Sequence, residues 1–316
     1  MTQSTARAGT SARMDALTWA MLVLLSIVWG GSFFFVGVAV KEITPLTLVL
    51  ARVGIAAIGL LAYVALIGVR TPLTRDVLIA FAGMAILNNV IPFTAIVSGQ
   101  TQIASGLASI LNATTPIFTV VFANLLTDDE KLTSAKLAGV LLGVAGVAAL
   151  MGPAAFAGLT DTIGGQALIL VAACSYGFAS IWGRRFRRLG VPAAVAATGQ
   201  LCASTLLMIP LVLLIDQPWT LPMPSAATVW SIIGLALAST AFAYILFFRI
   251  LQTAGATNIS LVTLLVPVSA IILGAVFLDE ALSWTHFLGM ALIAAGLACI
   301  DGRLLPNKRP ASRRDA

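Results

Sequence analysis

Ser105-Gly-Leu-Ala-Ser109-Ile-Leu-Asn112-Ala-Thr-Thr-Pro116 is apolar enough to lie in a bilayer, yet it carries a polar stripe and ends at a proline. Ser105, Ser109, Asn112 and Pro116 fall at i, i+4, i+7 and i+11, which is one face of a helix. The pattern returns 151 residues later in Ser260-Leu-Val-Thr263-Leu-Leu-Val-Pro267. Ser109 matches Ser260, Asn112 matches Thr263, and Pro116 matches Pro267. A soluble core helix has no use for such a stripe twice over. A membrane helix that lines a cavity does, because polar or irregular backbone is tolerated in lipid only where it faces protein or water.

Composition agrees. Of 316 residues, 59% are hydrophobic and 9% charged, and the mean hydropathy is +1.03. A soluble domain carries about 25% charged residues, so this chain has too few to cover a soluble surface. It reads as an all-α integral membrane protein, counted in spans of about 20 residues. Cys174, Cys202 and Cys299 lie in apolar runs and read as small packing residues. No metal spacing and no disulfide framework is visible. The net charge of +6 invites a nucleic-acid partner, but the positions of the charges explain it as membrane topology.

Residues 1–17 form a polar, basic tail with the composition of a disordered segment. The next run, Thr18 to Val40, is too long for a signal-peptide core and reads as a retained first span. Nine more follow: Leu46–Ile67, Val77–Ser98, Ser105–Leu126, Ala135–Met151, Gly164–Trp182, Pro192–Ile215, Thr228–Phe248, Thr257–Leu278 and Thr285–Ile300. With both termini cytoplasmic, the inside segments hold Arg7, Arg13, Arg70, Arg75, Lys131, Lys136, Arg184, Arg185, Arg187, Arg188, Arg249, Arg303, Lys308, Arg309, Arg313 and Arg314. That is sixteen of the 18 basic residues. Only Lys41 lies outside, and Arg52 lies within a span. The bias is what the positive-inside rule requires. Trp19, Trp182, Trp219, Trp230 and Trp284 sit near helix ends, as an interfacial belt does; Trp29 sits mid-span.

The two halves match beyond the opening stretch. Gly83, Asn88, Asn89 and Phe93 pair with Gly234, Ser239, Thr240 and Tyr244 at the same offset. Asp129-Glu130 pairs with Asp279-Glu280, Gly139 and Gly146 with Gly289 and Gly296, and Trp29-Gly30 with Tyr176-Gly177. Five helices per half is an odd number, so the second half enters the membrane from the other side. The expected architecture is ten transmembrane helices as two inverted five-helix repeats, residues 18–152 and 153–302, followed by a basic cytoplasmic tail at 303–316. Inverted repeats are the mark of secondary transporters with a midplane site at the repeat interface.

These residues bring a family with them. Ser26-Ile-Val-Trp29-Gly30-Gly31-Ser32-Phe33, Pro45 with Arg52, Ala104-Ser-Gly-Leu-Ala-Ser-Ile-Leu with Pro116, and Asp129-Glu130 before Gly139, Gly143 and Gly146 follow in order and recur in the second half. From about Ala16 to Ile300 the chain resembles the drug/metabolite transporter superfamily, in its EamA-type ten-helix members. The resemblance implies a multi-pass inner-membrane transporter, most often exporting amino acids or related metabolites through a cavity between the halves. Tyr176 departs from the tryptophan that the family often repeats there, which leaves the aromatic lining asymmetric.

The candidate cavity residues are Trp29, Ser32, Asn88, Asn89, Ser109, Asn112, Tyr176, Ser180, Ser239, Thr240, Tyr244, Ser260 and Thr263. Trp29 either stacks on substrate or packs beside Gly30 and Gly31; a mid-membrane indole N–H needs a partner either way. Tyr176 and Tyr244 read alike. The hydroxyls and amides either bind polar substrate groups or join helices. Adjacent asparagines cannot share a helix face, so one of Asn88 and Asn89 is expected to line the site. Pro116 and Pro267 are hinge candidates. Arg52, about 10 Å from the outer end of its helix at 1.5 Å per residue, can snorkel to the interface or serve as a gate or as an anchor for a substrate carboxylate. Asp129-Glu130 and Asp279-Glu280 read as solvated helix ends, and His286 as peripheral.

Absences narrow the function. No Asp or Glu lies mid-span, so the usual intramembrane proton carrier is missing. No G-x-x-x-x-G-K-[ST] occurs, so ATP is not hydrolysed by a P-loop here. An intramembrane serine protease needs a serine motif with a histidine in reach; there is no G-x-S-x-G, and the one histidine is peripheral. Gly139-x-x-x-Gly143 can join helices within the chain or form a homodimer. The expectation is a transporter of small molecules embedded in a lipid bilayer, with no cofactor, no metal and no nucleic acid. A multidrug or nucleoside/nucleotide-sugar type permease of the same fold is the alternative.

Overall fold

Helix ends in the computed structural model are set by the chain's own capping chemistry. The structure describes residues 15–70, 72–128, 132–151, 162–277 and 284–300. Asp129-Glu130, Lys131, Asp279-Glu280 and the basic tails lie outside them. Helix α1 (Ala16–Ala39) starts at Asp15, whose Oδ1 accepts the Thr18 N–H at 2.8 Å, an N-cap bond. Helix α2 (Pro45–Ile67) opens on proline, where the missing N–H has no partner to lose, and stops at Gly68 with φ +67°. Helix α3 (Arg75–Ala85) runs through a widened π turn, Ile86–Val90, into α4 (Ile91–Gln100).

Then come α5 (Ser105–Asn112), α6 (Thr115–Leu126), α7 (Ser134–Met151), α8 (Ile163–Trp182), the short α9 (Arg185–Arg188) and α10 (Ala193–Ile215). A second π turn, Leu237–Phe242, joins α11 (Ala226–Ala236) to α12 (Ala243–Ser260). Helices α13 (Val262–Phe277) and α14 (Trp284–Ile300) complete the chain. No strand occurs among the described residues.

Among the described residues, seven helical stretches are long and apolar enough to cross a membrane, against the ten that the sequence predicts. Ser134–Ala149 and Trp284–Ile300 are apolar but shorter. The expected eighth span and the start of the ninth merge into one stretch, Ala226–Ser260. Within it Gly255 takes φ +87° and ψ 176°, a conformation that glycine alone enters freely. The fourth span is divided instead, with a turn at Ala113 and Thr114 between α5 and α6. Large apolar side chains such as Ile58, Leu66 and Leu206 are over two-thirds exposed, which is lipid-facing chemistry.

Packing pairs the two halves. Helix α2 lies against α10, and α7 against α14; α1 packs on α11, α12 and α13, while α8 packs on α4 and α6. The α7–α14 contact is made by glycine. A methyl group on Gly139 would lie 2.6 Å from the Gly296 carbonyl oxygen, and one on Gly146 would lie 2.8 Å from that of Gly289. Rising numbers on α7 meet falling numbers on α14, so these helices are antiparallel. Gly143 meets the Leu264 side chain, so Gly139 and Gly143 are both used within the chain. Two further glycines, Gly83 and Gly234, make room for the rings of Trp182 and Phe35.

Candidate substrate cavity

The widened turns carry the polar residues that frame the centre of the protein. In the second half, Thr240 donates its hydroxyl to the Leu235 carbonyl at 2.8 Å and accepts from Arg52 Nε at 2.8 Å. In the first half, at the matching place, Asn89 donates to Ser204 Oγ at 2.6 Å and accepts the Tyr244 hydroxyl at 2.5 Å. Its neighbour Asn88 donates to Gln200 Oε1 at 3.3 Å. Ser239 donates to the Val28 carbonyl at 2.9 Å. These bonds tie α1, α2, α10 and α12 to the π turns and leave few polar groups in this layer unspent.

A cavity of about 60 Å³ lies beside this frame. At about 10–15 Å³ per water centre it holds a few waters or a small group. Its wall includes Trp29, Ser32, Arg52, Asn88, Asn112, Tyr176, Ser180, Tyr244, Ser260 and Thr263 among the expected residues. Asn89, Ser109, Ser239 and Thr240 do not line it. Asn89, Ser239 and Thr240 are spent on the interhelical bonds above, and Ser109 is buried one turn before Asn112. Of the adjacent asparagines, Asn88 faces the cavity and Asn89 faces away.

Arg52 does not snorkel. Its side chain is 5% exposed, and the guanidinium sits 3.6 Å from the centroid of the Phe93 ring. Thr240 holds Nε, and no carboxylate among the described residues pairs with the group. A buried cation without a counter-ion is costly, and the cation–π contact offsets part of that cost.

Several cavity hydroxyls are turned back on their own helices. Thr115 donates to the Asn112 carbonyl at 2.7 Å, Ser180 to Tyr176 at 3.0 Å, Ser260 to Thr257 at 2.7 Å, and Thr263 to Ser260 at 2.9 Å. With the proton spent, each offers acceptor lone pairs. The Asn112 carbonyl is one that Pro116, lacking an N–H, leaves without its helical donor. Asn112 Oδ1 and Gln100 Oε1 are buried acceptors with no partner. The polar chemistry of the cavity thus sets one guanidinium beside several acceptor oxygens, against aromatic walls in which the Trp29 and Phe247 ring centroids lie 5.8 Å apart.

The two prolines are placed differently. Pro116 is the second residue of α6, just past the turn at Ala113 and Thr114, whereas Pro267 lies inside α13. Sequence reasoning missed Phe33, Phe93, Gln100, Thr115 and Phe247 on the wall. Gln100 lay beyond the expected end of the third span, and Thr115 stood one place off the stripe that drew attention to Asn112. His286 is far along the chain from these residues, near the start of α14.

Known proteins agree with this architecture. One solved structure superposes with a TM-score of 0.72 over 93% of this chain and 100% of the other at 21% identity, which shows a shared fold. The inner membrane transporter YedA of Escherichia coli K12 is 30% identical over 296 residues, 91% of this chain and 92% of that protein. A "probable amino-acid metabolite efflux pump" of the same organism is 27% identical, covering 88% and 92% of the two chains. A "probable terminal-alkyne amino-acid exporter" of Streptantibioticus cattleyicolor is 26% identical, covering 95% and 98%. A family model matches residues 17–152 and again 163–300, and the chain belongs to the EamA-like transporter family.

Proposed function

We propose that this protein is a secondary transporter that exports small metabolites bearing both a carboxylate and an ammonium group, amino acids or close relatives, by alternating access. The observation that carries the reading is Arg52, a guanidinium buried on the wall of a central cavity with no counter-ion among the described residues. A substrate carboxylate completes it by charge-assisted hydrogen bonds. The orphaned oxygens of Asn112 and Gln100 suit the ammonium group, and Trp29, Tyr176 and Phe247 suit an apolar side chain or the cation itself. The printed names of two relatives, an amino-acid exporter and an amino-acid metabolite efflux pump, point the same way.

Alternating access rests on two inverted five-helix repeats. The family match in two stretches supports the duplication. The contacts Gly139–Gly296 and Gly146–Gly289 interchange under the sequence match that pairs Gly139 with Gly289 and Gly146 with Gly296. Gly83–Trp182 and Gly234–Phe35 behave alike. Equivalent helices that meet antiparallel call for a two-fold axis in the membrane plane, the inverted arrangement of many transporters. On this reading ten helices span the bilayer, both termini are cytoplasmic, and the turns before Pro116 and Pro267 let the halves rock.

Counterflow in proteoliposomes tests the proposal, using a panel of labelled amino acids and no ion gradient. Saturable exchange that Arg52→Gln abolishes supports it. Flat traces across the panel from correctly folded protein overturn the amino-acid assignment, and exchange of nucleosides or cationic drugs in the same vesicles would replace it.

A further inference from the structure

A second cavity, of about 270 Å³, lies between the C-terminal ends of α6 and α8. Leu126 and Thr127 close one side, and Trp182, Arg184, Arg185 and Arg188 converge on the other. Trp182 is fixed in place: its Nε1–H donates to the Ala80 carbonyl at 3.2 Å, and its ring fills the space above Gly83. Arg185 lays its guanidinium on that ring, 3.3 Å from the centroid. Stacking leaves the in-plane N–H donors of a guanidinium unspent. Neither Arg185 nor Arg188 donates a hydrogen bond or forms an ion pair with a described residue. Arg187, on the same short helix, lies outside this cavity and donates to the Gln252 carbonyl at 3.3 Å.

Helix C-termini attract cations, and the membrane charge bias favours arginine at one face. Both effects are met by arginines spread around a helix end. Neither accounts for three of them facing one concave volume with a guanidinium preset on a ring. Among the described residues, no carboxylate lines the cavity, and Asp128, next in the chain after Thr127, stands outside the lining. An arginine fork matches two phosphate oxygens, and basic pockets between membrane helices take the headgroups of anionic phospholipids. Leu126, 55% exposed, offers an apolar surface at the rim for an acyl chain.

We propose that this cavity binds the phosphodiester headgroup of an anionic phospholipid, held by Arg185 and Arg188. The lipid then bridges α6, which follows Asn112, and α8, which carries Tyr176 and Ser180, so its occupancy bears on two walls of the central cavity. The proposal shares with the transport reading only the premise that the helices lie in a bilayer.

Native mass spectrometry of the purified full-length protein tests it, by titration with phosphatidylglycerol, phosphatidylcholine of the same chains, and glycerol 3-phosphate. The expected result is a saturable phosphatidylglycerol adduct that Arg185→Gln and Arg188→Gln each weaken about 10-fold to 100-fold, the range of a lost charge-assisted hydrogen bond. Arg187→Gln removes the same charge from the same helix and is expected to stay within about 2-fold, as a rim charge does. Equal losses in all three variants overturn the site in favour of diffuse attraction. Displacement of the adduct by glycerol 3-phosphate at similar concentration overturns the lipid as its source and makes a soluble phosphate ester the ligand. Each variant is first shown to elute as a single folded species. Arg52→Gln is expected to keep the adduct whatever it does to transport, so the two readings fail separately.

Discussion

Arg52 Nε donates to Thr240 Oγ1 at 2.8 Å across the interface of α2 with the second π turn. The Thr240 hydroxyl donates to the Leu235 carbonyl, which turns its lone pairs toward the arginine. One guanidinium edge is thus held by protein while the remaining donors stay available to a ligand. Arg52→Gln is expected to weaken amino-acid binding about 10-fold to 100-fold, given 1.5–3 kcal/mol for a charged hydrogen bond. Arg52→Lys keeps the charge but not the fork and is expected to recover only part of this. Isothermal titration on purified protein reads both. Wild-type affinity in Arg52→Gln removes the carboxylate anchor from the account.

Asn112 Oδ1 is a buried acceptor without a donor, a costly state unless a ligand supplies the proton. Asn112→Leu is therefore expected to raise the apparent melting temperature of the ligand-free protein and to lose substrate-induced stabilisation. Trp29→Ala, by contrast, is expected to lower both stability and transport, since Trp29 also packs against Phe247. Matching behaviour of the two variants would place both residues in ordinary packing. Differential scanning fluorimetry with and without substrate separates the cases.

The opening stretch drew attention to Asn112 because its chemistry is local: a polar stripe on an apolar helix needs a wet or protein-lined face, though Ser105 and Ser109 of that stripe do not line the cavity. Asn112, Ser260 and Thr263 lie on that face. Arg52 was harder. Its distance from the helix end allowed snorkelling, and only the fold shows that Phe93 and Thr240 hold it inward. The π turns were invisible in the sequence, since Ile86–Val90 and Leu237–Phe242 read as ordinary helix by hydropathy. The arginines after α8 read as topology signals in the sequence, because nothing in their spacing says that Trp182 stacks under Arg185.

Gly139 and Gly296 leave no room for a side chain: a methyl group on either would lie 2.6 or 2.5 Å from the other's carbonyl oxygen. Backbone cannot yield as a side chain can. Gly139→Leu or Gly296→Leu is expected to cost about 3 kcal/mol or more by overpacking, and to yield aggregated or proteolysed protein. Gly68→Ala adds a methyl group where nothing lies within 4 Å, and its cost is confined to the left-handed backbone. Size-exclusion profiles and expression yield compare the three. Monodisperse, active Gly139→Leu protein would mean that α7 and α14 do not pack this way.

Glu42, in the turn after α1, accepts both the Ser225 N–H at 2.7 Å and its hydroxyl at 2.8 Å. Those two bonds hold its carboxyl below the usual 4.5. A depressed carboxylate stabilises the folded state above its unfolded value and loses that contribution as pH falls through the folded one. The difference in melting temperature between wild type and Glu42→Gln is thus expected to be present at neutral pH and to close below 4.5. Fluorimetric melts across pH read it directly. A gap that widens in acid contradicts the assignment.

Asp216 closes α10 and caps a helix 169 residues earlier in the chain. Its Oδ2 accepts the Thr47 N–H at 2.8 Å and the Thr47 hydroxyl at 2.9 Å, and the Thr44 hydroxyl as well. Thr47 is the third residue of α2, where a helix has an unpaired N–H and a partial positive charge. Thr44, placed to cap α2 itself, makes no capping bond, so the cap comes from another segment and ties the start of α2 to the end of α10. Asp216→Ala is expected to cost about 1–2 kcal/mol. Asp216→Asn keeps an acceptor oxygen and is expected to lose less. Because Asp216 is not on the cavity wall, both variants are expected to keep wild-type substrate affinity while melting earlier. If Asp216→Ala melted normally but shifted affinity, the tie would act on the conformational equilibrium of the transporter and not on its stability.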